Sequence, residues 1–179
     1  TSDMRRKAKM VNFGIIYGQG AFGLADNLNI PRAEAKQLID NYFREYPGIR
    51  NYMDDQVNFA RENGYVQTLL GRKRWLRDIN SNNATVRSYA ERNAINAPIQ
   101  GSAADMIKVA MINIYNELEK QNFKTKMLLQ VHDELVFDVY KPALEIVKPI
   151  IEILMREALP LSVPVEVGMG VGENWLAAH

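Results

Sequence analysis

The sequence predicts an α+β fold, predominantly helical, with a small antiparallel sheet. Apolar residues recur at helical spacing through most of the chain: from Met4 to Tyr17, beyond Pro31, over Ala84 to Lys120, and from Pro142 to Leu159. Two short apolar runs, Met127 to Val131 and Leu135 to Val139, flank the polar triplet His132-Asp133-Glu134 as a hairpin would. Val163, Val165, Val167 and Met169 then alternate as a last strand suited to extend that sheet. No strand-helix-strand alternation points to a doubly wound parallel sheet.

Composition narrows the class. With 179 residues, 47% of them hydrophobic, the chain can bury a real core as one large domain or two small ones. The absence of cysteine excludes disulfides and thiolate metal sites. No apolar run reaches the roughly 18 residues of a membrane span, and Thr1 to Lys9 do not resemble a signal peptide. A reducing, cytoplasmic setting is expected. The net charge of +1 conceals an asymmetry: residues 1–100 hold 15 Lys and Arg against 10 Asp and Glu, and residues 101–179 hold 7 against 11. Eleven of the twelve arginines lie in the first part, as a phosphate-gripping surface requires, and the acidic remainder could hold metal.

Along the first helix, Met4, Ala8, Val11 and Ile15 form an apolar stripe. The opposite stripe, Arg5, Lys9, Phe13 and Tyr17, sets two cations and then two aromatic rings along one side. Cations neutralise phosphate oxygens and rings pack on a sugar or base, so this order suits a nucleoside triphosphate. A solvated basic turn followed by core aromatics is the alternative. Gly18, Gly20 and Gly23 match G-x-G-x-x-G, and Asp40 lies about twenty residues on. A helix rather than a strand precedes them, so they read as a helix end and a tight turn, with a dinucleotide-binding enzyme as a third reading.

Pro31 starts the next helix, with Ala35, Leu38, Ile39, Tyr42 and Tyr46 inward, and Pro47-Gly48 ends it. A further helix buries Ile49, Met53, Val57 and Ala60 and is capped by Gly64. Tyr65 to Leu70 and Arg74 to Leu76 form a hairpin across Gly71-Arg72-Lys73, leaving Arg72, Lys73, Arg74 and Arg77 as a basic cluster for phosphate or for solvent. Asp78 to Asn83 is polar loop and the expected boundary between the halves.

Ala84 to Gln100 reads as a helix broken at Pro98, with Arg92, Asn96 and Gln100 in line on one face. Such a line can track a nucleic-acid groove or be plain polar surface. Ser102 and Asp105 then make a capping box for a new helix through Lys120, which casts Asp105 as a cap. That helix turns Met106, Ile107, Ala110, Ile114 and Leu118 inward. After the hairpin, Leu144, Val147, Ile151 and Leu154 line one side of a helix that Pro149 should kink. His132-Asp133-Glu134 is a poor turn for the backbone alone, since hairpin turns favour Gly, Asn or Asp-Gly. Its carboxylates suit a hard divalent cation, with a solvated charged turn as the alternative.

Three stretches together resemble the bacterial DNA polymerase I family, the family A polymerases. They are Arg5-Arg6-x-x-Lys9-x-x-Asn12-Phe13-Gly14-x-x-Tyr17-Gly18, then Arg92-Asn93-Ala94-x-Asn96-x-Pro98-x-Gln100-Gly101, and Val131-His132-Asp133-Glu134. The resemblance implies fingers helices and a palm with a small antiparallel sheet, divided as a fingers-like region 1–83 and a palm-like region 84–179. It implies that Arg5 and Lys9 hold the incoming dNTP's triphosphate, with Lys9 counted as catalytic, that Phe13 packs on the sugar, and that Tyr17 stacks near the templating base. Asp133 becomes a ligand of catalytic Mg²⁺ in a two-metal site and Glu134 its supporting carboxylate. His132, Arg92, Asn96, Gln100 and Arg74 become contacts to primer-template DNA. The second metal-binding aspartate of such polymerases belongs to a strand before the fingers helix. Asp3 lies at the helix start instead, so the chain is expected to be a piece of a longer polymerase, inactive in isolation. Many relatives carry Ser where Gly20 stands. A nucleic-acid-binding module without chemistry is the alternative that the basic first half supports.

Overall fold

A computed structural model describes residues 2–178, and the side chains of residues 4–178. The chain divides into two compact units, Thr1–Ser102 and Ala103–His179. The loop at residues 78–83 therefore lies inside the first unit, where Ile79 is buried.

In the first unit, α1 (Ser2–Ile16), α2 (Ala21–Leu28) and α3 (Arg32–Glu45) close around Ile15, Leu24 and Ala35, with Val11, Ile39 and Tyr42 against them. The apolar stripe of α1 is buried only at its C-terminal end. Ile15 is fully buried and Val11 half-buried, but Ala8 is exposed and Met4 is 68% exposed. Periodicity fixes which residues share a helix face, and not how far along it the neighbours reach. Tyr46 is also exposed, at the C-terminal end of α3. Pro47 opens α4 (Pro47–Asn63) at its first turn, where a missing N–H costs nothing, and Gly64 closes it at φ +76.

β1 (Tyr65–Gln67) and β2 (Lys73–Trp75) pair antiparallel, with Tyr65 opposite Trp75 and Gln67 opposite Lys73. Val66 of β1 and Leu76, just after the fully exposed β2, join a second core with Ala60, Ile79, Ala90 and Ala94. The last two belong to α5 (Ala84–Lys120), a single helix of 37 residues.

That continuity corrects the expected break and the expected cap. Pro98 sits inside α5. A capping Ser102 would accept an N–H from two or three residues onward. Its hydroxyl instead donates to the Pro98 carbonyl (2.6 Å) and accepts the Leu69 N–H (2.9 Å). With the hydroxyl engaged backwards, no capping box forms, and Asp105 is a buried residue of the helix interior.

In the second unit, α5 packs Ala110, Ile114 and Leu118 against Val147 and Ile151 of α6 (Leu144–Arg156), which a single 3₁₀ turn precedes. Pro149 lies within α6. β3 (Lys126–Val131) and β4 (Glu134–Asp138) pair antiparallel with an irregularity between Met127 and Leu129, and Met127, Leu135 and Phe137 face the core. A short helix, α7 (Trp175–Ala178), follows near the end.

The last predicted strand is absent. Burial alternates there as a strand's would, with Val165, Val167 and Met169 half-buried between exposed neighbours, yet among the described residues no strand pairs with it. Pro164 has no N–H to give, and alternation alone supplies a face without supplying a hydrogen-bonding partner.

Candidate functional site

The outer face of α1 carries the cation and ring series intact. Arg5 and Lys9 are exposed, and the Lys9 ammonium lies 5.8 Å from the centre of the Phe13 ring. Phe13, 45% exposed, stacks on Tyr17 with ring centres 5.9 Å apart and planes 22° from parallel. Four residues per step make this possible, because a helix turns only about 40° past a full revolution in that interval. The face thus offers positive charge at its N-terminal end and a flat apolar surface at the other. Gly18, at φ +76, turns the chain away just beyond it. A Cβ there would lie 3.2 Å from Arg92 Cγ, so the close of α1 passes against the α5 residue expected to meet nucleic acid.

On α5, Arg92 and Gln100 are exposed and Asn96 is half-buried. Arg92 Nη1 donates to the Ser88 hydroxyl (3.1 Å), and its guanidinium lies 6.0 Å from the Tyr89 ring centre. Asn96 Oδ1 is buried and accepts no hydrogen bond from the described residues, so this amide faces inward more than its two companions. Arg74 is exposed on β2 beside Lys73, whose ammonium sits 4.1 Å from the centre of the Tyr65 ring. Arg72 is held by the fold itself: its Nη2 donates to the Gly101 carbonyl (3.0 Å). Arg5, Lys9, Phe13, Tyr17, Arg74, Arg92, Asn96 and Gln100 all belong to the first unit.

His132, Asp133 and Glu134 belong to the second. The triplet divides: His132 and Asp133 make an exposed two-residue turn, while Glu134 is half-buried as the first residue of β4, opposite Val131. His132 adopts φ +53, a conformation few non-glycine residues take, and Gln130 Nε2 donates to its carbonyl (2.8 Å). Among the described residues no three His, Asp or Glu side chains gather closely enough to hold a metal ion. The carboxylate of Asp133, with that of Glu134 next in sequence, offers the oxygen chemistry that a hard cation takes, as part of a ligand set. Asp3, the acidic residue nearest the chain start, falls in α1, and its side chain lies outside the described residues.

Sequence reasoning missed the contacts that support these faces. Tyr52 of α4 donates its hydroxyl to the Ile95 carbonyl (3.0 Å), and burial pushes its pKa up to about 12. Arg61 pairs with Glu91 at 2.6 Å and ties α4 to α5. No local pattern announces partners so distant in sequence. No helix among the described residues is long and apolar enough to cross a membrane.

Comparison with known proteins is consistent along the chain. DNA polymerase I of Streptococcus pneumoniae serotype 4 is 52% identical over 178 residues, which is 99% of this chain and 20% of that protein. The Geobacillus stearothermophilus DNA polymerase I is 49% identical over the same shares. This chain therefore spans about a fifth of the length of the curated relatives it matches. Among solved structures, the POL domain of Pol1 from M. smegmatis, in complex with DNA primer-template and dNTP, superimposes with a TM-score of 0.96 at 46% identity. That match covers 99% of this chain and 31% of that one. Residues 1–177 match DNA polymerase family A, and the chain belongs to that family.

Proposed function

We propose that this chain is the fingers and part of the palm of a DNA-templated DNA polymerase, which adds dNTPs to a primer 3′-OH in DNA replication and repair. Residues 1–83 are the fingers-like region and residues 84–179 the palm-like region. The observation that carries the reading is the outer face of α1, where exposed Arg5 and Lys9 precede the stacked pair Phe13 and Tyr17. A triphosphate neutralised at the cationic end leaves its sugar and base over the rings. The M. smegmatis relative, solved with primer-template and dNTP, supports the same substrates here.

In this reading Arg5 and Lys9 grip the triphosphate, and Lys9 neutralises charge that develops as the primer oxygen bonds to the α-phosphorus and pyrophosphate leaves. Phe13 packs on the sugar and Tyr17 near the templating base. Arg92, Gln100, Arg74 and, from its partly buried place, Asn96 contact primer-template, and His132 meets the primer end. Asp133 would hold Mg²⁺ with Glu134 as the supporting carboxylate, and a metal bound there would supply Lewis acidity to the attacking hydroxyl and the leaving oxygen. Among the described residues no third His, Asp or Glu joins Asp133 and Glu134 in a metal-holding group, and on this reading the isolated chain gives no primer extension.

The test is Asp133→Asn in the full-length polymerase that contains this chain. Turnover should collapse while primer-template affinity stays nearly unchanged, because the change removes a metal ligand and no phosphate-binding cation. Near-normal kcat would overturn the metal assignment.

A further inference from the structure

The turn at residues 68–72 is fastened to α5 more firmly than a surface hairpin requires. It closes on itself first: the Thr68 N–H donates to the Arg72 carbonyl (3.0 Å), the Gly71 N–H to the Thr68 carbonyl (2.9 Å), and the Arg72 N–H to Thr68 Oγ1 (3.1 Å). Two bonds then bind it to consecutive residues of the helix. Arg72 Nη2 donates to the Gly101 carbonyl (3.0 Å), and the Leu69 N–H donates to Ser102 Oγ (2.9 Å).

The chemistry of Ser102 leaves no choice of direction. The Leu69 amide can only donate and the Pro98 carbonyl can only accept, so the hydroxyl receives the first and gives its one proton to the second. At Gly101 the approach is closer still. A Cβ there would stand 2.5 Å from Thr68 Cγ2, a separation real Cβ atoms essentially never show, so a side chain at 101 would force Thr68 or the turn to shift. Thr68 itself is buried.

The fastened ends are informative. Residue 100, one position before the clamp, is the exposed Gln100, and residues 73 and 74, directly after the turn, are the exposed Lys73 and Arg74 of β2. We propose that Ser102 and Gly101 are positioning residues that lock the 68–72 turn onto α5 and so fix the spacing between the β2 cations and Gln100. A duplex then meets both sets at one rigid separation, and the cost of ordering the hairpin is met before binding rather than during it. The inference rests on the reading of Arg74 and Gln100 as DNA contacts.

The experiment uses the full-length polymerase and measures primer-template Kd across salt, kcat at saturating DNA, and thermal melting. Ser102→Ala should weaken binding about fivefold, the effect of one lost hydrogen bond, with kcat unchanged. Ser102→Thr, which keeps the hydroxyl, should restore affinity. Thr68→Val, which opens the turn from its other side, should reproduce the loss even if Ser102→Ala proves too unstable to study. Positioning also requires coupling: in an Arg74→Ala background, Ser102→Ala should cost little more. Additive losses, or full affinity in both Ser102→Ala and Thr68→Val while Arg74→Ala and Gln100→Ala bind weakly, would overturn the positioning role alone. Unchanged affinity in Arg74→Ala and Gln100→Ala would remove the DNA-contact reading beneath it.

Discussion

Phe13 is where residue-scale packing and function can be told apart. A core phenylalanine resists a hydroxyl, because Phe→Tyr buries an unpaired O–H at a cost of about 1 to 3 kcal/mol. Phe13 is 45% exposed and stacks on Tyr17, so it is not a core ring. Phe13→Tyr should therefore leave the melting temperature nearly unchanged. In the proposed site the added hydroxyl lies beside the sugar and can replace the hydrogen bond that a nucleotide's own 3′-OH provides, so discrimination against dideoxynucleotides should relax. The ratio of kcat/KM for deoxy and dideoxy substrates reads this directly, and an unchanged ratio with a lowered melting temperature would assign Phe13 to packing. The cations and rings of α1 were legible in the sequence because i, i+4 spacing alone sets them in line. The inward turn of Asn96 was not, since a stripe of three equally spaced polar residues says nothing of how neighbouring elements cover the middle one.

At the scale of elements, α5 is supported where its own ladder is weakest. Pro98 has no N–H, so the Ala94 carbonyl loses its partner four residues on. The next carbonyl, that of Ile95, gains an extra donor from Tyr52. Tyr52→Phe should cost about 1 kcal/mol of stability. It should also change the alkaline limb of the stability curve. The hydroxyl's ordinary pKa is 10.0 and burial raises it to about 12 in the folded chain. As pH climbs through that window the unfolded chain releases a proton that the folded chain retains, so stability falls, and the variant lacks this part of the fall. Denaturant melts of both proteins at pH 9 to about 12 would measure it, and parallel curves would refute it. α3 and α4 could be anticipated because Pro31, Pro47 and Gly64 punctuate strong periodicity, whereas α2 could not, because Gly20 and Gly23 read as a turn and Gly23 lies inside that helix. The unbroken α5 could not, because Ser102 and Asp105 imitate a helix start and only the distant Leu69 amide shows where the hydroxyl is used. Residues 163–169 failed for a related reason: a strand is defined by its neighbour, which local alternation cannot supply.

For the whole molecule, the purified 179-residue chain should give no template-dependent primer extension, and any such extension would refute its catalytic silence. A different consequence follows from where its apolar clusters lie. The first draws on residues 11–43, the second on residues 57–97 and the third on residues 106–169, with no interleaving among the described residues. A ribosome delivers chain from the N-terminus onward, and clusters that close within successive stretches can form in the order of their delivery. Nascent chains stalled at increasing lengths and exposed briefly to protease should gain protection in three steps, in that order. Protection arriving all at once at full length would mean that the clusters wait for one another. Stepwise arrival would mean that α1 has its core before the β3–β4 hairpin has been synthesised.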